Sequence, residues 1–241
     1  MRRCAGDLKL CPDPSHLQPT MPIPTPASTI FFLCDLQSVF RSSIPGFDHL
    51  IFTANKLIKL AKILNCEVVS CTQAVRALGP LDPAIDLNSL GPLYLGTFDK
   101  STFSMVTPQV QEILNARPAI NNVVLFGIES HICVLQTALA LLAPTFRTQP
   151  YTPYVVADCL ASHNAWEVPL VIDRLRQEGA IVTSSEGLGF QLVADAKHPG
   201  FKAFSLLTKE TKEGTTRAGD ALLLGKDVPA LPVPGAEKSA L

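Results

Sequence analysis

Three residues of the sequence, Asp35, Lys100 and Cys133, have the side chains that hydrolysis through a thiol requires. A thiol becomes a strong nucleophile when a carboxylate accepts its proton and an ammonium group stabilises the charges that result. The thiolate attacks an acyl carbon, fixed N–H groups stabilise the oxyanion, and water then releases the acyl group. The three residues therefore predict covalent hydrolysis, provided that the fold brings them together.

Each of these residues also has an ordinary structural role. A cysteine beside apolar residues is usually packed in a core, a lysine usually lies on the surface, and an aspartate after a strand often accepts hydrogen bonds from nearby backbone N–H groups. Position favours chemistry for Cys133, because ligands of open α/β sheets bind beyond the carboxyl ends of the strands. Only the combination of the three residues indicates a site.

The stretch from Asn121 to Leu142 predicts a strand, a sharp turn and a helix with Cys133 in its first turn. An apolar run of strand length stops at Gly127, and apolar residues then recur at helical spacing. These residues are Val134, Leu135, Ala138, Leu139 and Leu142. In the first turn of a helix, unpaired N–H groups and the positive end of the helix dipole favour thiolate over thiol.

Strands and helices alternate along the rest of the sequence. Apolar runs end in an acid at Asp35 and at Asp158, which is typical of strands buried on both faces. Amphipathic stretches follow, so right-handed crossovers predict a parallel sheet covered by helices on both faces. The irregular residues 74–96 predict a binding loop or lid. The expected domain spans residues 29–208, after a Pro-rich arm over 1–28 and before a loose tail over 209–241.

Composition limits the class of partner. The net charge of −1 and the lack of a basic stripe argue against nucleic acid, so a small neutral or anionic metabolite fits better. Seven cysteines without paired spacing argue against a disulfide framework and predict a reducing compartment, the cytoplasm. Arg2 and Arg3 leave a mitochondrial presequence as the alternative. No apolar run is long enough to cross a bilayer, so a soluble protein without a membrane partner is expected.

Three segments resemble the motif blocks of the isochorismatase-like cysteine hydrolases, in the family's order and at comparable spacing. They are FLCDLQ, the lysine of FDKSTFSMV, and GIESHICVLQTAL. The segment TSSEGLGFQLVADAKHPGFK is similar to the branch of isochorismatase domain-containing proteins, and the likeness runs from about Thr29 to Thr208. It implies a three-layer α/β sandwich with roughly six parallel strands, a homodimer or homotetramer, and a catalytic triad of Asp35, Lys100 and Cys133.

The resemblance also implies how a substrate is held. A cis peptide bond would join Ile128 to Glu129, and the N–H groups of Glu129 and Cys133 would form the oxyanion hole. Gln73 and His131 are expected to line the substrate site. His131 also suggests a Cys–His pair, but neighbouring residues of a turn rarely face each other, so pocket lining is its preferred role.

Other polar and thiol side chains near strand ends are expected to have structural roles. Glu129 and Asp158 are predicted to make local hydrogen bonds. Four further cysteines lie in or beside apolar strands and are expected in the core. They are Cys34, Cys66, Cys71 and Cys159.

The segment after the second strand bears on metal and substrate. Nicotinamidases of this superfamily bind a divalent ion through an Asp-x-His pair there, whereas the segment here, SCTQAVRALGP, has no histidine. No metal and no cofactor are therefore expected, and the pyridine nitrogen of nicotinamide loses its anchor. Isochorismate hydrolysis cleaves a vinyl ether and requires no thiol, so Cys133 favours a small amide or related C–N bond.

Two other functions stay open. One is metal-independent hydrolysis of a vinyl ether, which would use Asp35 and Lys100 without Cys133. The other is a non-catalytic binding or scaffold protein that keeps the fold. The altered loop after the second strand favours the latter, since Thr72 precedes Gln73 where the branch often has an acidic residue.

Overall fold

The structure is a computed structural model, and it describes residues 23–143 and 150–230. Most of the predicted arm and the end of the predicted tail therefore lie outside the described residues. The strands are Thr29–Cys34 (β1), Val68–Gln73 (β2), Tyr94–Lys100 (β3), Asn122–Gly127 (β4), Thr152–Leu160 (β5) and Ile181–Thr183 (β6). They form one parallel sheet of six strands in the order β3-β2-β1-β4-β5-β6.

Helices cover both faces of this sheet. They are Phe47–Ile63 (α1), Val75–Leu78 (α2), Pro108–Asn115 (α3), Leu135–Leu142 (α4), Glu167–Gln177 (α5), Ser185–Val193 (α6), Phe201–Glu210 (α7) and Lys212–Leu222 (α8). A π-helical turn, Ser130–Val134, precedes α4. Within the two described ranges, no helix is both long and apolar enough to cross a bilayer.

Side chains of β1 alternate between two cores, as a strand buried on both faces requires. Phe31 and Leu33 belong to the core with α1, α6 and α7, whereas Ile30, Phe32 and Cys34 belong to the core with α3, α4 and α5. Every residue of β1 and of its neighbour β4 is buried. The α/β sandwich predicted from the sequence is confirmed, with β1 and β4 at its centre.

The residues 74–96 are not one irregular loop, as the sequence predicted. After α2 and a 3-10 turn, Asn88–Leu93, the chain forms the edge strand β3, which pairs with β2. Of the residues in β3 only Lys100 is buried, and Gly96 interrupts the apolar pattern, so the local signal for a strand is weak. Pairing with β2 stabilises the strand instead. Lys100 is therefore the last residue of a strand.

The predicted loose tail begins as helix, because α7 extends to Glu210 and α8 follows it. Helix α8 packs closely on α1, since a Cβ atom at Gly214 would lie 2.1 Å from the ring of Phe52. Lys56 of α1 also donates a 2.8 Å hydrogen bond to the hydroxyl of Thr215. The buried residues of α8 are the small Gly214 and Ala218, which give little hydrophobic signal in the sequence.

Asp158 lies inside β5, which continues to Leu160, whereas the sequence predicted that the strand ends at this acid. Its buried carboxylate accepts hydrogen bonds from the backbone N–H (2.7 Å) and the hydroxyl (2.5 Å) of Ser185. Ser185 is the first residue of α6, so Asp158 joins the sheet to a helix. The predicted hydrogen-bonding role of Asp158 is confirmed, but its partner lies 27 residues along the chain and is not local.

Candidate active site

Four parallel strands end at one edge of the sheet and carry the predicted site. Asp35 follows β1 directly, Lys100 is the last residue of β3, and Cys133 follows β4 in the π-helical turn. Gln73 is the last residue of β2, which lies between β1 and β3, and it pairs in register with Lys100. Because the strands are parallel, their carboxyl ends bring residues that are distant in sequence to one place.

The ammonium group of Lys100 lies at the centre of this cluster. Its Nζ donates to Asp35 Oδ2 at 2.7 Å and to Gln73 Oε1 at 2.7 Å, and it lies 3.5 Å from Cys133 Sγ. A lysine ammonium has three N–H donors, and these three acceptors use all of them. The structure thus brings together Asp35, Lys100 and Cys133 and adds Gln73 as a fourth member.

Burial and charge act in opposite directions on Lys100. Burial lowers its pKa, whereas the negative charges that Cys34, Asp35 and Cys133 can carry raise it by more, so the pKa lies above its ordinary value of 10.5. The side chains of Lys100 and Asp35 are 0% and 3% exposed, so water screens their attraction little. Lys100 is therefore a cation at neutral pH, next to the sulfur of Cys133.

The two carboxylate oxygens of Asp35 have different surroundings. Oδ2 accepts the hydrogen bond from Lys100 and a thiol hydrogen bond of 3.5 Å from Cys34. Oδ1 is buried and has no hydrogen-bond partner among the described residues. A carboxylate oxygen of Asp35 also lies within 4.8 Å of Cys133 Sγ. Since buried polar atoms are nearly always paired, Oδ1 marks a position for a proton or a ligand.

A tight turn connects β4 to the residues that carry the thiol. Gly127 has a φ of +122°, and a Cβ atom there would lie 2.1 Å from the carbonyl oxygen of Cys34, so only glycine fits. The peptide bond between Ile128 and Glu129 is cis, as the resemblance implies. The turn thus leads from β4 into the segment that carries Cys133.

Two N–H groups of this segment were predicted to form the oxyanion hole. The N–H of Glu129 has no acceptor in the described part of the chain, whereas the N–H groups of Ile132 and Val134 both donate to Glu129 O at 3.2 Å. The donation from Val134 closes a π-helical turn, where the sequence predicted the first turn of an α-helix. Cys133 lies inside that turn, so its N–H and that of Glu129 belong to one short segment.

His131 contacts residues other than the thiol. Its Nδ1 lies 3.0 Å from Ser162 Oγ and 4.0 Å from Glu129 Oε2. Ser162 is also hydrogen-bonded to Ser130, so its hydroxyl is held in place next to the histidine ring. Glu129 accepts a 2.7 Å hydrogen bond from the backbone N–H of His163, 34 residues along the chain, so its predicted hydrogen-bonding role is confirmed but is not local. The hydrogen bonds of His131 therefore give no support to a Cys–His pair.

Gln73 contacts the catalytic candidates directly. In addition to accepting from Lys100, its Nε2 donates to Ser101 O at 3.0 Å. Gln37, which was not predicted from the sequence, holds the backbone of Gln73. Its Oε1 accepts a hydrogen bond from Gln73 N at 2.9 Å, and its Nε2 donates to Gln73 O at 3.1 Å. The same Nε2 also donates to Gly79 O at 2.6 Å. Gln37 is fully buried. The sequence signal for Gln37 was an amide side chain two residues after Asp35, in the motif block FLCDLQ.

The four other described cysteines are buried, as predicted. Burial raises the pKa of Cys66 and of Cys71 to about 12, and it raises the pKa of Cys34 and of Cys159 well above the ordinary 9.0. These four side chains are therefore thiols at neutral pH. Cys133, at 6% exposure, is the most accessible of the described cysteines.

One cluster of potential metal ligands is present among the described residues. Ligand atoms of Cys34, Asp35 and Cys133 lie within 4.8 Å of one another. Two thiolates and a carboxylate suit zinc, but the Lys100 ammonium already contacts two of the three groups. A cation would have to displace this positive charge. The arrangement therefore suits proton transfer better than metal binding.

The site is largely closed to solvent. Cys133 and Lys100 are 6% and 4% exposed, and Gln73 and His131 are partly exposed. A cavity of about 730 Å³ lies between the start of α1, the end of β5 and residues 225–230, and it reaches Ser162. None of Asp35, Lys100 and Cys133 lines that cavity. Within the described residues, the thiol is therefore nearly closed to solvent and lies outside this cavity.

Two solved structures share this fold. The YcaC gene product of Escherichia coli, whose structure is described as an octameric hydrolase of unknown specificity, matches with a TM-score of 0.71 and 17% identity over 87% of this chain and all of that one. A structure from Caenorhabditis elegans, described as MAR1 ribonuclease, matches with a TM-score of 0.69 and 34% identity over 76% of this chain and 90% of that one. The fold is thus one that hydrolases use.

Sequence comparison identifies the family. The model of the isochorismatase domain matches residues 29–187. Isochorismatase domain-containing protein 2 of Bos taurus is 40% identical over 185 residues, which is 77% of this chain and 85% of that protein. The chain belongs to the isochorismatase family, as the motif blocks predicted.

Proposed function

We propose that the protein hydrolyses a small amide or a related C–N bond through a thioester on Cys133. The proposal depends on one observation, the cluster around Lys100. Its Nζ lies 2.7 Å from Asp35 Oδ2 and 3.5 Å from Cys133 Sγ. A carboxylate, an ammonium and a thiol are the groups that thiol catalysis requires. Membership of the isochorismatase family supports a hydrolase.

Asp35 is the proposed base. Its unpaired Oδ1 is available to accept the thiol proton while Lys100 keeps Oδ2. The sulfur then stays beside the Lys100 ammonium, whose positive charge compensates for the water that a buried thiolate lacks. An amine leaves only when its nitrogen is protonated, so Asp35 returns the proton to the leaving nitrogen. The carboxylate thus acts first as a base and then as an acid.

The N–H groups of Glu129 and Cys133 are the proposed oxyanion donors. Both belong to the segment that carries the thiol, and the N–H of Glu129 is without an acceptor among the described residues. Donors that are held in place before the reaction stabilise the tetrahedral oxyanion without reorganisation. After the amine has left, Asp35 is again a carboxylate and can activate the water that hydrolyses the thioester.

The proposed substrate is small and carries no strong negative charge near its acyl carbon. All three donors of Lys100 are used by protein acceptors, so Lys100 offers no free donor to a second anion. Asp35 would repel such an anion. Gln73, which contacts Lys100, and His131, two residues before Cys133 in the chain, are partly exposed and are the proposed contacts for the polar groups of the substrate.

The Caenorhabditis elegans structure described as a ribonuclease makes RNA a competing substrate. A phosphodiester would bring negative charge next to Asp35, and the cationic side chain within the cluster, Lys100, is already fully bonded. The chain also has a net charge of −1, which gives RNA no general attraction. We therefore favour amides and include RNA as an arm of the test.

The test is a substrate screen with matched variants. The purified protein and Cys133→Ala are incubated with a panel of small amides, isochorismate and a short RNA, and the products are separated by liquid chromatography. We expect release of amine or ammonia from an amide by the parent and a loss of at least 1,000-fold in Cys133→Ala, because the covalent step is removed. Cys71→Ala, which removes another buried thiol, is the control and should keep the activity.

Three outcomes would contradict the proposal. Hydrolysis of isochorismate that survives in Cys133→Ala would support vinyl-ether cleavage by Asp35 and Lys100. Cleavage of RNA without cleavage of amides would support the ribonuclease alternative. No turnover of any compound, together with ordinary reactivity of Cys133 toward alkylating agents, would support a binding or scaffold protein.

We further propose a homodimer or homotetramer that works in a reducing cytoplasm. Trp166 and Leu170, four residues apart at the start of α5, are 61% and 59% exposed and form an apolar face. The five described cysteines are free, which agrees with reducing conditions. Light scattering on the parent and on Trp166→Ser/Leu170→Ser tests the assembly. A monomeric parent would contradict it.

A further inference from the structure

Cys34 lies in the candidate site, but the proposed hydrolysis does not use it. It is the last residue of β1, it is fully buried, and its thiol donates to Asp35 Oδ2 at 3.5 Å. Its sulfur lies within 4.8 Å of the sulfur of Cys133. Two thiols this close can react with each other, and one of them also contacts an ammonium group.

The two sulfurs differ in accessibility and in electrostatic surroundings. Cys133 is 6% exposed and contacts the Lys100 ammonium at 3.5 Å. Cys34 is fully buried and faces the carboxylate of Asp35, and burial raises its pKa well above the ordinary 9.0. An oxidant that enters the site therefore reaches Cys133 before Cys34, and Cys34 is still a neutral thiol at that point.

We propose that Cys34 is a modification site, which forms a disulfide with Cys133 after a small hydroperoxide has oxidised Cys133. This inference goes beyond the proposed hydrolysis and requires only that Cys133 is the reactive thiol. The disulfide removes the nucleophile reversibly. It also protects Cys133 from further oxidation to sulfinic and sulfonic acids, which simple thiol reductants do not reverse.

The chemistry balances in two steps. The Cys133 thiolate attacks one oxygen of the hydroperoxide, the O–O bond breaks, and the other oxygen leaves as an alcohol, or as water from hydrogen peroxide, after taking a proton. Cys133 is then a sulfenic acid. The sulfur of Cys34 attacks it while Asp35 accepts the Cys34 proton, the S–O bond breaks, and the hydroxide leaves as water with that proton. The two thiols are oxidised, and the peroxide is reduced by two electrons.

The bond requires movement of the two side chains. The sulfurs must approach from within 4.8 Å to about 2.05 Å. Cys34 pairs in register with Gly127 of the neighbouring strand β4, six residues before Cys133, so the two thiols lie at adjacent strand ends. Cys71 of β2 is the structural control, because it pairs in register with Cys34 and is fully buried too. Among the described residues, however, it is not part of the cluster in which ligand atoms of Cys34, Asp35 and Cys133 lie within 4.8 Å of one another.

The test is peptide mapping of the full chain after oxidation. Cys11→Ser is used as the parent, because Cys11 and Cys34 otherwise share the tryptic peptide Leu10–Arg41. The protein is treated with hydrogen peroxide, free thiols are blocked, and peptides are analysed without reduction. We expect Leu10–Arg41 linked to the peptide that ends at Arg147, with loss of two hydrogens and recovery of both thiols by dithiothreitol. The alkylation rate of Cys133 should fall and return in parallel.

Variants distinguish the partner thiol. In Cys34→Ser, we expect Cys133 to gain two or three oxygens that dithiothreitol does not remove, whereas Cys71→Ala should still form the link. Cys34→Ala serves if the serine variant is unstable, and thermal unfolding checks both. A link to Ile63–Arg76, which contains Cys66 and Cys71, would overturn the inference. So would oxygen addition at Cys133 in the parent without a disulfide, or no reaction at Cys133. A chain that forms the disulfide but hydrolyses no amide would refute the proposed function alone.

Discussion

Replacement of Lys100 by methionine removes the ammonium at the centre of the cluster and keeps most of the side-chain volume. The side chain is completely buried and hydrogen-bonded to Asp35 at 2.7 Å. Its loss leaves the Asp35 carboxylate buried without a counter-charge. Removal of one partner of a buried ion pair destabilises a protein by about 3–5 kcal/mol, because the remaining charge has lost both water and its partner.

A double-mutant cycle separates the free energy of the Lys100–Asp35 ion pair from a simple loss of packing. Lys100→Met should lower the unfolding free energy by about 3–5 kcal/mol, which corresponds to a fall in Tm of about 10 °C for a domain of this size. Asp35→Asn should cost a similar amount. The double variant should lose clearly less than the sum of the two single variants, since no buried charge is left unpaired.

The stability that the Lys100–Asp35 ion pair contributes should fall as the pH rises into the alkaline range. The pKa of Lys100 in the folded protein lies above its ordinary value of 10.5, so the ion pair stabilises the fold fully below pH 10.5. This contribution is lost as the pH rises through the folded-state pKa. Parent protein should therefore lose stability above pH 10.5 more steeply than Lys100→Met does.

Urea unfolding followed by circular dichroism measures all four members of the cycle, at pH 7 and across the alkaline range. Lys62→Met, at an exposed position near the end of α1, is the matched control and should change stability by less than about 0.5 kcal/mol. An additive cycle, or a loss below about 1 kcal/mol for Lys100→Met, would refute the view that a buried Lys100–Asp35 pair organises the site.

Three further predictions concern the turn and the side chains around the thiol. Gly127→Ala should lower the unfolding free energy by about 3 kcal/mol or more, because its Cβ would lie 2.1 Å from a carbonyl oxygen, whereas Gly179→Ala, also at positive φ but with open space, should cost only about 1 kcal/mol. Equal losses in urea unfolding would contradict this. Gln73→Leu should slow alkylation of Cys133 at pH 7 by several-fold, because the ammonium of Lys100 loses an acceptor and is held less firmly. An unchanged rate would mean that Gln73 does not position Lys100. His131→Ala should leave the alkylation rate of Cys133 within about two-fold, since His131 bonds to Ser162; a ten-fold loss would support a Cys–His pair.

The central strands and the positions of the catalytic candidates could be predicted from the sequence, because their signals are local. The residues of β1 and β4 are apolar without interruption, and such runs predict strands buried on both faces. Asp35 and Cys133 follow these strands, so their place at the carboxyl edge follows from the topology of a parallel sheet. Lys100 was assigned to the same site because the three motif blocks follow the order of the family.

The missed features depend on contacts between distant segments. Strand β3 is partly exposed and exists through its pairing with β2, and α8 is held by the small Gly214 against α1. The hydrogen bond from Lys100 to Gln73, and the support of Gln73 by Gln37, follow from the order of β1, β2 and β3 in the sheet. Local periodicity contains no information on such contacts.

The alkylation rate of Cys133 by iodoacetamide, measured by peptide mapping between pH 5 and 9, tests the central claim most directly. If Asp35 and Lys100 activate the thiol, Cys133 should react at pH 7 at least 100-fold faster than Cys66 and Cys71, whose pKa burial raises to about 12. Asp35→Asn and Lys100→Met should each lower that rate by ten-fold or more. Reaction of Cys133 at the rate of the buried thiols, or a rate that neither variant changes, would contradict the account.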